Sequence, residues 1–234
     1  MSLTADVHCH CLPGIDDGCK TKDESLTLLR QSKQDGIDVI FATPHYYRRM
    51  SIPDFLSKRQ GAWEQIANEV QSPEYPRIIL GAEVAYFNGI ANEENLTQLC
   101  LGKSDFLLLE LPTTPWTPQL FRDLYTLSSV GGVRLILAHL ERYTKLQDKK
   151  ALHSLYDMNL MIQMNAENLL HFSNRHSALK LLKSGKVDLL GSDAHNLSDR
   201  TQNLAQGYEV LAQKCPEEVH ILRKNAIRVF ESAT

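Results

Sequence analysis

Seven apolar, strand-like runs alternate with helix-like segments along these 234 residues, and nearly every run ends in a histidine, aspartate or glutamate. The first four close as Asp6-Val7-His8-Cys9-His10, Phe41-Ala42-Thr43-Pro44-His45, Gly81-Ala82-Glu83 and Leu108-Leu109-Glu110. Leu137-Ala138-His139, Gln163-Met164-Asn165 and Leu190-Gly191-Ser192-Asp193-Ala194-His195 follow. Such alternation argues for parallel βα units. Parallel β/α folds gather the carboxyl ends of their strands around one mouth, where side chains distant in sequence can meet. Histidines and carboxylates at such a mouth form an inventory of metal ligands.

Strands are expected at about Ala5–His10, Ile37–Thr43, Arg77–Glu83, Phe106–Leu111, Val133–Ala138, Leu160–Asn165 and Val187–Ser192. Thr21-Lys22-Asp23-Glu24 reads as a capping box opening a helix that stops at Gly36. The stretch Phe55–Val70 reads as an amphipathic helix, and Thr117-Pro118 as the start of another. A helix over His176–Ser184 should end at Gly185, and two closing helices should cover about Arg200–Lys214 and Glu217–Glu231. No linker or internal repeat interrupts this order, so a single α/β domain over residues 1–234 is expected. Its length suits a barrel, since barrels of roughly 200–250 residues stay undivided. The prediction is a seven-membered barrel-like sheet rather than an open doubly wound one. The irregular stretches Cys11–Lys22 and Pro112–Pro118 follow strands and should lie at the mouth.

A formal net charge of −3 argues against a protein built to coat nucleic acid or an anionic membrane. No apolar run approaches the roughly 20 residues that span a bilayer, so no membrane insertion is expected, and no signal peptide is visible. The five cysteines include no C-x-x-C pair, which fits a reducing compartment, the cytoplasm.

His8 and His10 lie two apart on a strand and should share a face, with Cys9 on the other. Cys9 and Cys11 then read as core residues rather than zinc ligands. Asp16 and Asp17 are adjacent in the first loop, where turn residue and ligand are equally good readings. Glu83 and Glu110 end apolar strands, where an unpaired carboxylate carries a heavy desolvation cost that a nearby cation removes. The same holds for His139, and Asp193 and His195 again offer two ligands at i, i+2. Four of the nine histidines, His153, His171, His176 and His220, fall outside any such pattern. The nine remaining candidates (His8, His10, Asp17, His45, Glu83, Glu110, His139, Asp193 and His195) are too many for one four-coordinate ion. They suit three ions that share a bridging glutamate.

These residues resemble the PHP (polymerase and histidinol phosphatase) superfamily, whose fold is a distorted, TIM-like (β/α)7 barrel. Within it the chain is similar to the bacterial metal-dependent protein-tyrosine phosphatases of the CpsB/CapC type, which regulate capsule and exopolysaccharide synthesis. The likeness rests on Asp6-Val7-His8-Cys9-His10 with Leu12-Pro13-Gly14-Ile15-Asp16-Asp17-Gly18, then Ala42-Thr43-Pro44-His45 and Gly81-Ala82-Glu83. Leu109-Glu110, Ala138-His139-Leu140-Glu141-Arg142-Tyr143 and Ser192-Asp193-Ala194-His195-Asn196-Leu197 complete it. Two departures stand out: Cys19 where proline often follows Asp-Asp-Gly, and Tyr46 where histidine often follows Thr-Pro-His. Tyr46 is expected near the mouth, in a position to alter substrate fit.

The resemblance implies three divalent ions, manganese foremost, with iron, zinc, cobalt or magnesium as other occupants. One ion would take His8, His10, Glu83 and Asp193; a second would share Glu83 and add Glu110 and His139; a third would take Asp17, His45 and His195. Arg142 and Arg200 match family arginines that hold the phosphate. Hydrolysis of phosphotyrosine by metal-activated hydroxide is then the expected activity, on the tyrosine-rich tail of a bacterial tyrosine autokinase. A cysteine nucleophile is excluded, because the position six after each cysteine is Ile15, Asp17, Ser25, Phe106 or Ile221, never arginine. Three alternatives keep the same residues: a phosphoesterase for a small substrate such as histidinol phosphate, an amidohydrolase-type enzyme cleaving C–N bonds, and a non-catalytic PHP module.

Overall fold

The structure is a computed structural model that describes residues 3–129 and 132–234. Nine strands are described: β1 (Ala5–Cys9), β2 (Val39–Ala42), β3 (His45–Tyr46), β4 (Arg77–Leu80), β5 (Glu83–Ala85), β6 (Phe106–Glu110), β7 (Arg134–Leu137), β8 (Met161–Asn165) and β9 (Leu189–Gly191). Between and after them run α1 (Lys22–Gln34), α2 (Ile52–Glu64), α3 (Pro118–Ser129), α4 (Lys149–Tyr156), α5 (Glu167–Leu170), α6 (Phe172–Lys183), α7 (Leu204–Lys214) and α8 (Pro216–Ala233).

All strand pairings are parallel, in the orders β1-β2-β4 and β3-β5-β6-β7-β8-β9. β3 and β5 carry the second and third expected strands on past Thr43 and Glu83, after breaks at Thr43-Pro44 and Gly81-Ala82. Proline has no N–H to donate to a ladder, so β2 breaks at Pro44, and the facing strand pairs across that break: Gly81 N donates to Ala42 O at 2.9 Å and Glu83 N to Pro44 O at 3.1 Å. β9 returns to β1 through His10 N→Ala194 O at 2.8 Å and Asp193 N→His8 O at 2.9 Å. The seven expected strands therefore make a curled, closed parallel sheet, the distorted barrel that the alternation predicts.

Alternation along each strand divides the core. Phe106 and Leu108 join Val7, Phe41, Ile136 and Leu189 in one buried cluster, closed by Ala226, Val229 and Ala233 of α8. Leu107 and Leu109 point the other way, into the larger cluster beneath the helices. Glu110 shares the face of Leu108 and so reaches the barrel mouth. β1 breaks strict alternation, with a register shift between Asp6 and Cys9. That irregularity lets Val7 pack in the lower layer while His8 and His10 face the space above it.

Several boundaries differ from expectation, each for a local reason. α2 starts three residues early because Ser51 Oγ caps Asp54 N, and it stops at Glu64 rather than running to Val70. α6 begins at Phe172 and ends before Gly185, whose φ of +67° suits glycine. The last-but-one helix begins at Leu204, not Arg200. Asn196 Oδ1 accepts from the backbone N–H of Ser198, Asp199 and Arg200 at 3.0–3.2 Å, and this turn holds residues 196–200 out of a helix. Arg200 consequently lies in a loop over the mouth. No described helix is long and apolar enough to cross a membrane.

Candidate metal centre and active site

The nine candidate ligands converge on one basin. His8 Nε2 and His10 Nε2 are 3.1 Å apart, and each lies 3.2 Å from Glu83 Oε2. Asp193 Oδ1 is 3.4 Å from His8 Nε2 and 3.5 Å from His10 Nε2. His139 Nε2 lies 2.8 Å from Glu83 Oε1 and 3.4 Å from Glu110 Oε1. Asp17 Oδ1 is 3.4 Å from His45 Nε2 and 3.5 Å from His195 Nε2. Three sets of donor atoms stand close enough to hold an ion each: His8-His10-Glu83-Asp193, His10-Asp17-His45-His195 and His45-Glu83-Glu110. The first coincides with the expected set. The second adds His10 to the expected Asp17, His45 and His195, and the third has His45 where His139 was expected, because His45 Nδ1 sits 3.1 Å from Glu83 Oε2.

The donor atoms fit cations. Glu83 Oε2, Asp193 Oδ1, His45 Nδ1 and His195 Nε2 are buried without a hydrogen bond, an arrangement that costs roughly 1–3 kcal/mol per neutral atom and more for a charge. Four donors about 2 Å from one cation stand ~3.3 Å from each other in a tetrahedron, close to the separations in the first set. A nitrogen–nitrogen approach such as that of His8 and His10 also demands a shared cation or proton.

The ring orientations are fixed from outside the basin. His8 Nδ1 meets Gln163 Oε1 at 3.2 Å, and the same oxygen accepts from His139 N at 2.8 Å. His10 Nδ1 meets Asp16 Oδ2 at 2.8 Å, and that oxygen also accepts from His45 N at 2.9 Å. Tyr143 Oη lies 3.3 Å from His139 Nδ1. His195 Nδ1 donates to Asp193 O at 2.8 Å and so turns an Nε2 lone pair inward. Such outer partners set tautomer and orientation. Asp6 plays the same part for the last strand: wholly buried, it accepts from Ser192 N at 2.9 Å, Ser192 Oγ at 2.6 Å and Gln202 Nε2 at 2.8 Å. Burial raises its pKa and those hydrogen bonds oppose the rise.

Backbone constraint concentrates here. His139 has φ +34° and Asp193 φ +54°, a left-handed region that side chains other than glycine's seldom enter. At Gly18 a Cβ would meet His10 O at 2.2 Å, so only glycine lets the first loop lie on the end of β1.

Electrostatics follow from this packing. Burial disfavours charge on His10, yet the hydrogen bond to Asp16 and the charge of Glu83 prevail and raise its pKa to about 10. Asp16, although burial works against it, is held down to about 2 by His10. Glu83 should also rise on burial, but the surrounding rings of His8, His10 and His139 hold it well below the usual carboxylate range. Burial and the positive neighbour His10 lower His195 to about 4 and keep its ring neutral.

Both expected arginines reach the rim. Arg142 Nη2 donates to Asp193 Oδ2 at 2.6 Å and Arg200 Nη2 to the same oxygen at 2.9 Å, and Asn165 Nδ2 joins them at 2.8 Å. Arg142 Nη1 lies 3.4 Å from Glu110 Oε1, and Arg200 Nη1 3.6 Å from Asp17 Oδ2.

Tyr46 is not at the mouth. Its pairing with Val84 turns it into the core, where it is fully buried against Phe55 and its hydroxyl donates to Met50 O at 3.1 Å. The aromatic residue at the mouth is Tyr47, stacked on His45. Cys9, Cys11 and Cys19 are fully buried core residues, as expected of the first two. Gln163, Tyr143 and Asp6 carry no sequence pattern that marks them as parts of the site. Asp16, weighed with Asp17 as a ligand, is instead the outer partner of His10.

Known proteins share this architecture. The chain is 29% identical over 230 residues to the tyrosine-protein phosphatase CpsB of Streptococcus agalactiae, covering 91% of each. It is 25% identical over 239 residues to the tyrosine-protein phosphatase YwqE of Bacillus subtilis, covering 98% of this chain and 92% of that one. A crystal structure from work on YwqE of Bacillus subtilis and CpsB of Streptococcus pneumoniae, described as metal-dependent tyrosine phosphatases, superposes with a TM-score of 0.85 at 23% identity, over 99% of this chain and 96% of that one. A phosphotriesterase from Mycobacterium tuberculosis shares only the fold, with a TM-score of 0.53 at 13% identity over 99% of this chain and 94% of that one. The model of the family described as "Capsular polysaccharide synthesis, CpsB/CapC" matches residues 4–231, and the chain therefore belongs to that family.

Proposed function

We propose that this chain is a metal-dependent protein-tyrosine phosphatase whose basin takes three divalent cations, manganese foremost. His8, His10, Glu83 and Asp193 would hold the first, Glu83, Glu110 and His139 the second, and Asp17, His45 and His195 the third. The observation that carries the reading is the group of buried, unbonded donor atoms facing one space with two arginines at its edge. Divalent ions so held activate water as a nucleophile and neutralise charge on the phosphoryl oxygens. Arg142 and Arg200 would grip the non-bridging oxygens with the guanidinium nitrogens that Asp193 leaves free. Asp193 Oδ2 anchors both guanidinium groups from behind, so their spacing is set before substrate arrives. A tyrosyl phenolate, with a pKa of about 10, leaves more readily than a serine alkoxide and asks less of a general acid.

The names of the similar proteins and the family's place in capsular polysaccharide synthesis favour a phosphotyrosine protein as substrate. We assign as that partner the tyrosine-rich tail of a bacterial autokinase, met in the cytoplasm, where the five buried free cysteines stay reduced. The test compares a phosphotyrosine peptide with histidinol phosphate, before and after chelation and after return of Mn²⁺. Chelation should remove activity and Mn²⁺ restore it, with the peptide the preferred substrate. Preference for histidinol phosphate would move the reading to small phosphoesters, and no turnover with Mn²⁺ would end it.

His10 adds a pH-dependent expectation. Its folded pKa of about 10 exceeds the ordinary 6.5, so in metal-free protein its protonated form stabilises the fold below pH 6.5. That contribution fades as pH rises through about 10. A cation must displace the proton from Nε2, so binding at pH 8 should release about one proton from this ring. Calorimetry in buffers of different ionisation enthalpy reads the total released, to which His139, raised against its burial to about 9 by Glu110 and Glu83, also contributes; a heat independent of buffer would contradict it.

A further inference from the structure

A pocket of about 350 Å³ opens beside the basin, on the side of Asp17 and His45. It differs in character from the recess at the arginines. That recess, about 190 Å³, is polar, with Asn165, Asn168 and Asn203 around Arg142, Arg200 and Asp193. The pocket is walled instead by Ile15, Met50 and Phe55, with the ring of Tyr47 at the junction with the basin.

Tyr47 is placed to be touched from outside. It is 41% exposed, although its ring is large and apolar. One contact is the His45 imidazole, with centroids 5.3 Å apart and planes inclined by 28°. Another is the Arg49 guanidinium, 5.3 Å from the ring centroid. Neither Arg49 nor Lys58, which also edges the pocket, pairs with a carboxylate among the described residues. Lys58 Nζ donates to Ile15 O at 2.8 Å and pins the first loop as one wall. A slot with one apolar wall, Asp16, Asp17 and His45 on its basin side, and two cations without a carboxylate partner at its edge suits an aromatic group attached to an anion.

We propose that this pocket is the leaving-group subsite, which receives the phenyl ring of the phosphotyrosyl residue, with Tyr47 as the residue that selects for it. The proposal rests on the phosphatase reading above. The phosphate would lie at the arginine recess, and the ring bonded to it must then rest within a few bond lengths, against one wall of the mouth. The wall at Tyr47 offers a ring face, a thioether at Met50 and a guanidinium able to swing aside, all favourable partners for an aromatic ring. A small alkyl phosphoester would leave these contacts unused.

The test is calorimetry on the metal-loaded protein with two non-hydrolysable probes, phenylphosphonate and methylphosphonate. Phenylphosphonate should bind roughly five- to tenfold more tightly, the size of an aromatic contact of this kind. Tyr47→Ala should bring the ratio of the two affinities close to one, Tyr47→Phe should keep it, and Met50→Ala should reduce it in part. Equal affinities in the unsubstituted protein, or a ratio that survives Tyr47→Ala, would overturn the subsite. A parallel loss of both affinities in Tyr47→Ala would also overturn it, since Tyr47 would then only brace His45. Failure of the unsubstituted protein to hydrolyse a phosphotyrosine peptide is a different result, and it removes the phosphatase reading itself.

Discussion

Glu83→Gln should cost on the order of 10³ in kcat and strip the protein of bound metal. One carboxylate here serves four imidazoles: Oε1 lies 2.8 Å from His139 Nε2, while Oε2 is 3.2 Å from His8 and His10 and 3.1 Å from His45 Nδ1. Glutamine keeps the shape but removes the charge that two cations would share. It also turns one acceptor into an NH₂ donor aimed at ring nitrogens. The effect should exceed the roughly 10–100-fold that loss of an outer partner costs, so Gln163→Ala, which frees His8 Nδ1, is the proper comparison. Elemental analysis of the purified variant, with circular dichroism to confirm folding, separates a lost centre from a lost fold. A Glu83→Gln protein with full metal content and full activity would remove the bridging role.

The histidines and glutamates of this centre were legible in the sequence because burying them is costly. A carboxylate closing Phe106-Leu107-Leu108-Leu109 needs a reason to be there, and Glu110 has one at the mouth. Period-two spacing did the same for His8 with His10 and for Asp193 with His195. The barrel followed from seven apolar runs, although the breaks before His45 and Glu83 did not. Those breaks explain the misplaced tyrosine. Once Pro44 ends one ladder and His45 begins the next, alternation turns Tyr46 into the core and leaves Tyr47 on the face of His45. With the expected strand ending at Thr43, Tyr46 and Tyr47 lie beyond any alternation that the sequence offers.

The outer partners were hidden for another reason. Gln163, Asp16 and Tyr143 act by hydrogen bonds to residues 155, 6 and 4 positions away, and no periodicity encodes such pairs. Adjacent carboxylates posed the sharpest case. The turn at Gly18 sends Asp16 inward to His10 and leaves Asp17 with 60% of its side chain exposed at the rim. Backbone geometry, not residue type, divides their work.

Arg142→Ala should lower kcat by about 10²–10³, the range for losing one donor aimed at developing charge, while metal content stays unchanged. The argument rests on what Asp193 keeps. Its Oδ2 would still accept from Arg200 Nη2 at 2.9 Å and Asn165 Nδ2 at 2.8 Å, so the carboxylate holds its orientation without Arg142. Oδ1, the atom beside His8 and His10, is not touched by either guanidinium in a hydrogen bond. Arg142→Lys should rescue little, because a single ammonium cannot bind Asp193 and a phosphoryl oxygen at once in the geometry of a planar fork. The Arg200→Ala variant should behave likewise, and the double variant should fall further with its metals still bound. Metal loss in proportion to activity would show that the arginines only brace Asp193, and phosphate binding would then have to be sought elsewhere on the rim.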